Sequence, residues 1–229
     1  TFRCLEQIRN DICYHNLPVT IVSIGAGLGY GTLGYTHHGI EDIAAMRSLP
    51  NISIYSPSDP LDVTQVLSRI NKNPSPTYLR LGKNGEPEIQ SATENSVAGS
   101  IRELTSGRNL TILATGGVTD NCLRVAEQLR TQGFEIQVIT ITQLEPLDTK
   151  FLLGVITSSK ILVVEEHVKR GGFAAVLLEA FNENGATSQF HRLFVNEDKI
   201  SEIGTQEYLR GLSGLDKVGI TKKCLEILQ

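Results

Sequence analysis

Two rhythms of apolar residues alternate along the chain. Short apolar runs at 19–24, 52–55 and 77–81 read as strands. Between them, apolar positions fall three and four apart. Leu5, Ile8 and Ile12 share one helical face, and Ile40, Ile43 and Ala44 share another, closed by Pro50. Val63, Val66, Leu67 and Ile70 form a third. Glu41 and Asp42 fall in the first turn of the middle helix, where carboxylates suit the positive end of the helix dipole. The pattern restarts at Leu110, with strands over 110–115, 136–141, 161–164 and 190–195. Helical stripes run through Val118, Cys122, Val125, Ala126 and Leu129, across 147–156, and through Phe173, Val176, Leu177, Ala180 and Phe181. Short helices around 205–212 and 216–228 complete the chain. Such alternation with short connections predicts an α/β fold: two domains, each a mostly parallel sheet flanked by helices.

Residues 82–108 break the rhythm. They are polar, contain Gly, Pro and Ser, and read as a linker crossing between the domains, with room for a short strand or helical turn of its own. The expected division is therefore 1–82, a linker over 83–108, and 109–229. The 229 residues suffice for one large or two modest cores. A net charge of −4 offers no general basic footprint for nucleic acid or anionic lipid. No apolar run approaches the roughly 18 residues of a membrane span. The first residues, TFRCLEQIRNDICYHN, lack the apolar core of a signal peptide, and no Met leads them, so a missing upstream segment is expected. The four cysteines form no C-x-x-C pair and read as reduced, buried thiols of a cytoplasmic protein.

The chemistry concentrates after the first strand. Gly29-Tyr30-Gly31-Thr32-Leu33-Gly34 matches the G-x-G-x-x-G dinucleotide pattern. That fingerprint needs a strand before it, a helix directly after it, and an acid about 20 residues on. The strand is present. The helix is displaced by Tyr35-Thr36-His37-His38, and the next strand ends at Tyr55-Ser56-Pro57, with Asp59 the nearest acid. The glycines thus argue weakly for a nicotinamide or flavin. The paired histidines argue for more, because an imidazole near neutral pH can accept or donate a proton. A loop at the carboxyl end of a strand is where α/β sheets place ligands.

The run from Gly31 to Pro60 contains G-x-T-H-x-x-x-E-D, a helix, Leu49-Pro50-Asn51, a strand and a closing P-x-D. It resembles the pyrimidine-binding domain of transketolases and their split, two-subunit relatives. PTYLRLGK at 76–83 resembles that domain's closing strand, and NLTILATGG at 109–117 and LVVEEHVKRGGF at 162–173 resemble the family's C-terminal domain. The resemblance covers nearly the whole chain, with the pyrimidine domain N-terminally incomplete. It extends more loosely to deoxyxylulose-phosphate synthases and to the beta subunits of 2-oxo acid dehydrogenases.

The resemblance implies an enzyme that uses thiamine diphosphate and a divalent metal, Mg2+ or Ca2+, to transfer a two-carbon ketol unit from a ketose phosphate to an aldose. The cofactor would lie across a homodimer interface, with diphosphate and metal held by an N-terminal domain or subunit outside this chain. The glutamate that activates the cofactor would lie upstream of Thr1, leaving the isolated chain inactive. By residue, the resemblance implies a catalytic His37 that reaches substrate hydroxyls, His38 beside it at the substrate, and Phe2 as an aromatic platform for the pyrimidine. Arg80 matches an arginine that binds the sugar phosphate; a structural ion pair is the other reading of that guanidinium. Pentose-phosphate transketolases carry a histidine in the region of Gly25 and an aspartate near Leu33, so this site is expected to be more open and less polar at that edge. Glu165-Glu166-His167 holds three metal-ligand types, but adjacent positions rarely converge on one ion, and a strand-end turn near a dimer interface is expected. Alternatives are a deoxyxylulose-phosphate-synthase-like or 2-oxo acid dehydrogenase beta-like enzyme, and a non-catalytic dimerisation module.

Overall fold

The computed structural model describes residues 1–89 and 100–229, together with the backbone of 97 and 98. Among the described residues, ten strands form two sheets. β1 (Thr20–Ile24), β2 (Ser53–Tyr55), β3 (Thr77–Leu81) and β8 (Gln143–Glu145) form the first, in the order β1-β3-β2-β8. β4 (Val97–Ala98), β5 (Ile101–Thr105), β6 (Leu110–Ala114), β7 (Ile136–Ile141), β9 (Lys160–Val164) and β10 (Gln189–Leu193) form the second, in the order β10-β9-β6-β7-β5-β4. The helices are α1 (Leu5–Gln7, continuing as a wider turn to Cys13), α2 (Asp42–Arg47), α3 (Pro60–Lys72), α4 (Thr119–Arg130), α5 (Thr149–Val155), α6 (Phe173–Glu183), α7 (Gln206–Ser213) and α8 (Lys217–Leu228). None of the described helices is long and apolar enough to cross a membrane.

Parallel pairing dominates. β3 runs parallel to both β1 and β2, and β10, β9, β6 and β7 form a continuous parallel set. The central strands are apolar on both faces because both faces are covered. On β6, Leu110, Ile112 and Ala114 pack under α4 and α8, while Leu113 joins the opposite core with Phe173 and Leu177 of α6. That second core is shared between the sheets: Ile43 and Met46 of α2, Ile54 and Tyr78 pack with Ile139, Ile141 and Leu144.

Two connections stitch the halves together. β8, from the C-terminal half, pairs antiparallel with β2 in the first sheet. β5 lies in the polar stretch expected to cross between the domains, and its Arg102 is buried against the start of α3. There Asp59 caps the helix, accepting from Asp62 N at 2.7 Å, and meets Arg102 Nη2 at 2.8 Å. Asp62 lies 3.3 Å from Arg102 Nε. Cys13, Cys122 and Cys224 are buried and free. Cys4 departs from the expected burial, because it stands on the exposed turn at the chain start.

Candidate active site

The glycine loop is built for closure and close packing. Gly25, at φ +92°, turns the chain out of β1, and Gly25 N and Ala26 N donate to Leu81 O at 3.0 and 2.9 Å. Gly27 and Gly39 then exchange two backbone hydrogen bonds of 2.8 and 2.9 Å, clasping residues 27–39 into one turn. A Cβ on Gly27 would lie 2.5 Å from Glu166 Cβ, and one on Gly31 would lie 2.5 Å from Leu209 Cδ1 and 2.6 Å from Gly204 O. Instead of the dinucleotide helix, two short 3-10 turns follow, Gly31–Leu33 and Tyr35–His37, and α2 begins at Asp42. Gly31→Ala should therefore push the turn off α7 and cost about 1–3 kcal/mol in urea unfolding.

His37 ends the second short turn and is exposed. Its Nδ1 is 3.0 Å from Thr36 Oγ1, and Nε2 has no partner among the described residues. His38, the next residue, faces the opposite environment: it is buried against the C-terminal half beside Leu28, Val195 and Leu209 rather than open to a ligand. Phe2 is half exposed on the turn before α1, and no aromatic ring among the described residues packs on it. The space at Gly25 is not open as expected. The Tyr30 ring fills it, 2.2 Å from where a Cβ would stand. Leu33 is exposed.

Arg80 lies inside the protein. Its Nε donates to Asp42 Oδ2 at 2.8 Å, and its Nη2 donates to Gly39 O at 2.6 Å and Glu166 O at 3.0 Å. Tyr78 donates its hydroxyl to the same Asp42 oxygen at 2.7 Å. Burial and the Asp42 charge push the Tyr78 hydroxyl pKa up. Asp42 opens α2 as expected, but its carboxylate serves Arg80 and Tyr78. Glu41 accepts instead from Tyr35 Oη at 2.9 Å. The Arg80 fork thus spans β3, the end of the histidine turn and the end of β9. As placed, it is engaged by protein groups in the way an ion pair demands.

Glu165, Glu166 and His167 diverge onto three partners. Glu165 accepts from Phe173 N and Ala174 N at 2.6 and 3.1 Å, capping α6. Glu166 is clasped by Arg210, Nε to Oε1 and Nη2 to Oε2, each at 3.0 Å, with Gln206 alongside. Burial works to raise the Glu166 carboxyl, but Arg210, Gln206 and Arg80 outweigh it and hold it below the usual range. His167 donates Nδ1–H to Val168 O at 2.9 Å and accepts from Ala44 N at 3.4 Å through Nε2; burial holds it down at about 4. Among the described residues no cluster of three or more His, Cys, Asp or Glu is placed to hold a metal ion.

Burial raises the Glu165 carboxyl to about 7 against the pull of its two backbone donors. The folded state then keeps a proton that the unfolded chain, near 4.3, releases. This group's contribution to stability is present at low pH and falls as pH rises toward 7. The stability difference between Glu165→Gln and wild type should drift in favour of the glutamine by up to roughly 3 kcal/mol between about pH 5 and 8. Urea unfolding at stepped pH measures it.

The comparisons with known proteins agree with this geometry. Residues 1–86 match the transketolase pyrimidine binding domain, and residues 99–220 match the transketolase C-terminal domain. The chain is 30% identical over 226 residues to one subunit of the apulose-4-phosphate transketolase of Actinobacillus succinogenes, covering 98% of this chain and 73% of the relative. It is 35% identical over 222 residues to the 1-deoxy-D-xylulose-5-phosphate synthase of Syntrophus aciditrophicus, covering 95% of this chain and 34% of that one. A solved split-gene transketolase, described as an inactive beta4 tetramer, superposes with a TM-score of 0.82 at 29% identity, covering 99% of this chain and 71% of that one. With the pyrimidine-binding and C-terminal domains matched in order along one continuous fold, the chain belongs to the transketolase family of thiamine-dependent enzymes.

Proposed function

We propose that this chain is the pyrimidine-side part of a thiamine-diphosphate-dependent transketolase, moving a two-carbon ketol unit from a ketose phosphate to an aldehyde acceptor. One observation carries the reading. His37, in the T-H motif, is an exposed imidazole whose Nε2 has no partner among the described residues, on a turn clasped at both ends, at the carboxyl ends of a parallel sheet. The cofactor, when bound, supplies the carbon–carbon bond cleavage. His37 hydrogen-bonds a substrate hydroxyl and carries its proton. Phe2 offers a ring face to the pyrimidine, and Leu33 turns an apolar edge to the substrate. Arg80 holds the Gly39 carbonyl through Nη2 and so fixes the turn.

The diphosphate and metal ligands come from a second polypeptide or domain. Leu33, Tyr35, Ile203 and Tyr208 are exposed around the turn, and an apolar patch of this kind marks a surface that is covered in an assembly. The inactive state of the split-gene relative composed of beta chains supports an isolated chain without turnover. The test is to combine the chain with a diphosphate-binding transketolase subunit, thiamine diphosphate and Mg2+, and to assay ketol transfer over a panel of ketose phosphates and aldehydes. Turnover in the mixture and none from either part alone is the expected result. The 35% identity to a deoxyxylulose-phosphate synthase favours a second donor class, so a 2-oxo acid belongs in the panel. A complex that assembles and turns over no donor would leave a dimerisation module.

A further inference from the structure

The histidine turn meets the C-terminal half along one seam. Gly204 N donates to Gly31 O at 3.3 Å, and Leu209 of α7 sits where a Gly31 side chain would be. The His38 ring lies in the middle of this seam, 8% exposed. It borders a small cavity of about 10 Å³ lined by Leu28, Val195, Ile200 and Leu209 together with Asn196 and Lys199. Tyr35 closes the near side, edge-on at 6.4 Å. Neither ring nitrogen makes a well-formed hydrogen bond among the described residues, although the Gly31 carbonyl is close enough to favour a proton.

A buried polar group without a partner costs about 1–3 kcal/mol. A phenyl ring would fill the same space without that cost. What the imidazole adds is the capacity to take up a proton. We propose that His38 is a positioning residue for the His37 turn: as a neutral ring it seats the turn against α7 and the Asn196–Ile200 segment, and on protonation it releases the turn from that seam. The consequence for catalysis rests on the function proposed above, whereas the movement itself is a property of the chain.

The surroundings set the sign. Lys199 is the charged group among the cavity's described lining residues, and those on α7, Leu209, Leu212 and Ser213, carry no charge. His37 adjoins along the chain. Glu41 and Glu197 act on Tyr35, and the described lining residues of the cavity include no carboxylate. An imidazolium here would meet largely apolar walls, with the His37 ring adjoining it. Burial lowers the proton affinity of His38, the Gly31 carbonyl partly restores it, and His37 lowers it again. The unfolded chain therefore binds this proton more readily below about pH 6.5, and acid works against the seated turn.

The test uses the whole chain and needs no turnover. Hydrogen exchange of the amides from Gly31 to His38, corrected for intrinsic rates, is followed from about pH 8 to about pH 5. In wild type the exchange should accelerate at least roughly tenfold toward acid, while the amides of β6 and β7 stay protected. His38→Phe should keep the turn protected throughout. Flat protection in wild type, or an acid transition that persists in His38→Phe, would each overturn the proposal. Should the exchange behave as described while the mixture of subunits shows no ketol transfer, the positioning device stands and the proposed reaction falls.

Discussion

Asp42→Ala should lower the unfolding free energy by about 3–5 kcal/mol, one of the largest effects open to a single side chain in this protein. Asp42 and Arg80 are both buried, and among the described residues Asp42 is the carboxylate in ion-pair contact with the guanidinium, at 2.8 Å. Removing the acid strands a full positive charge in the interior. It also deprives the Tyr78 hydroxyl of its acceptor. The damage should spread to the site, because Arg80 also grips the Gly39 carbonyl at the base of the histidine turn. Asp42→Asn keeps an acceptor oxygen and should cost less. Arg80→Met in the Asp42→Leu background removes both charges and should recover part of the loss, since breaking a buried pair costs more than deleting it. Urea unfolding of the singles and the double closes the cycle. A loss under about 1 kcal/mol in Asp42→Ala would mean that water reaches the guanidinium.

His37→Ala should leave folding nearly untouched and remove most of the activity of the assembled enzyme. The side chain is exposed and touches Thr36, so a stability change within about 0.5 kcal/mol is expected. A positioned acid–base group contributes about 10²–10⁴-fold, and the loss should fall on kcat more than on KM if the imidazole acts where the carbon–carbon bond breaks. An effect confined to KM would make His37 a binding group. Equal turnover in the variant and wild type would remove it from the mechanism.

The parallel strands were legible from short, apolar-rich segments: in β6, β7 and β9 burial on both faces writes a mostly apolar run, whereas β1 and β10 are only partly buried and show fewer apolar positions. β8 was not legible. Three residues, Gln-Leu-Glu, alternate too briefly to distinguish a strand from the approach to a helix. The inward turn of Arg80 was half readable. Tyr78 and Arg80 stand two apart on β3 and share a face, which is the face that meets Asp42. The Asp42 pairing itself spans 38 positions and leaves no local trace. The same holds for Glu166 and Arg210, 44 apart, which bind the end of β9 to α7. The opposite fates of His37 and His38 had no signal either, because a short turn has no period to say which neighbour faces inward.

The loan of β8 to the first sheet constrains how this polypeptide could be divided or recombined. A gene fusion, shuffling crossover or protease nick placed between Leu81 and Leu110 would respect the composition of the sequence and still tear a strand from its neighbour. The first half would be left with the β2 edge bare, a ready template for aggregation. A circular permutant that opens the chain elsewhere and keeps 142–145 covalently near β2 should express as soluble protein where the bisected halves precipitate.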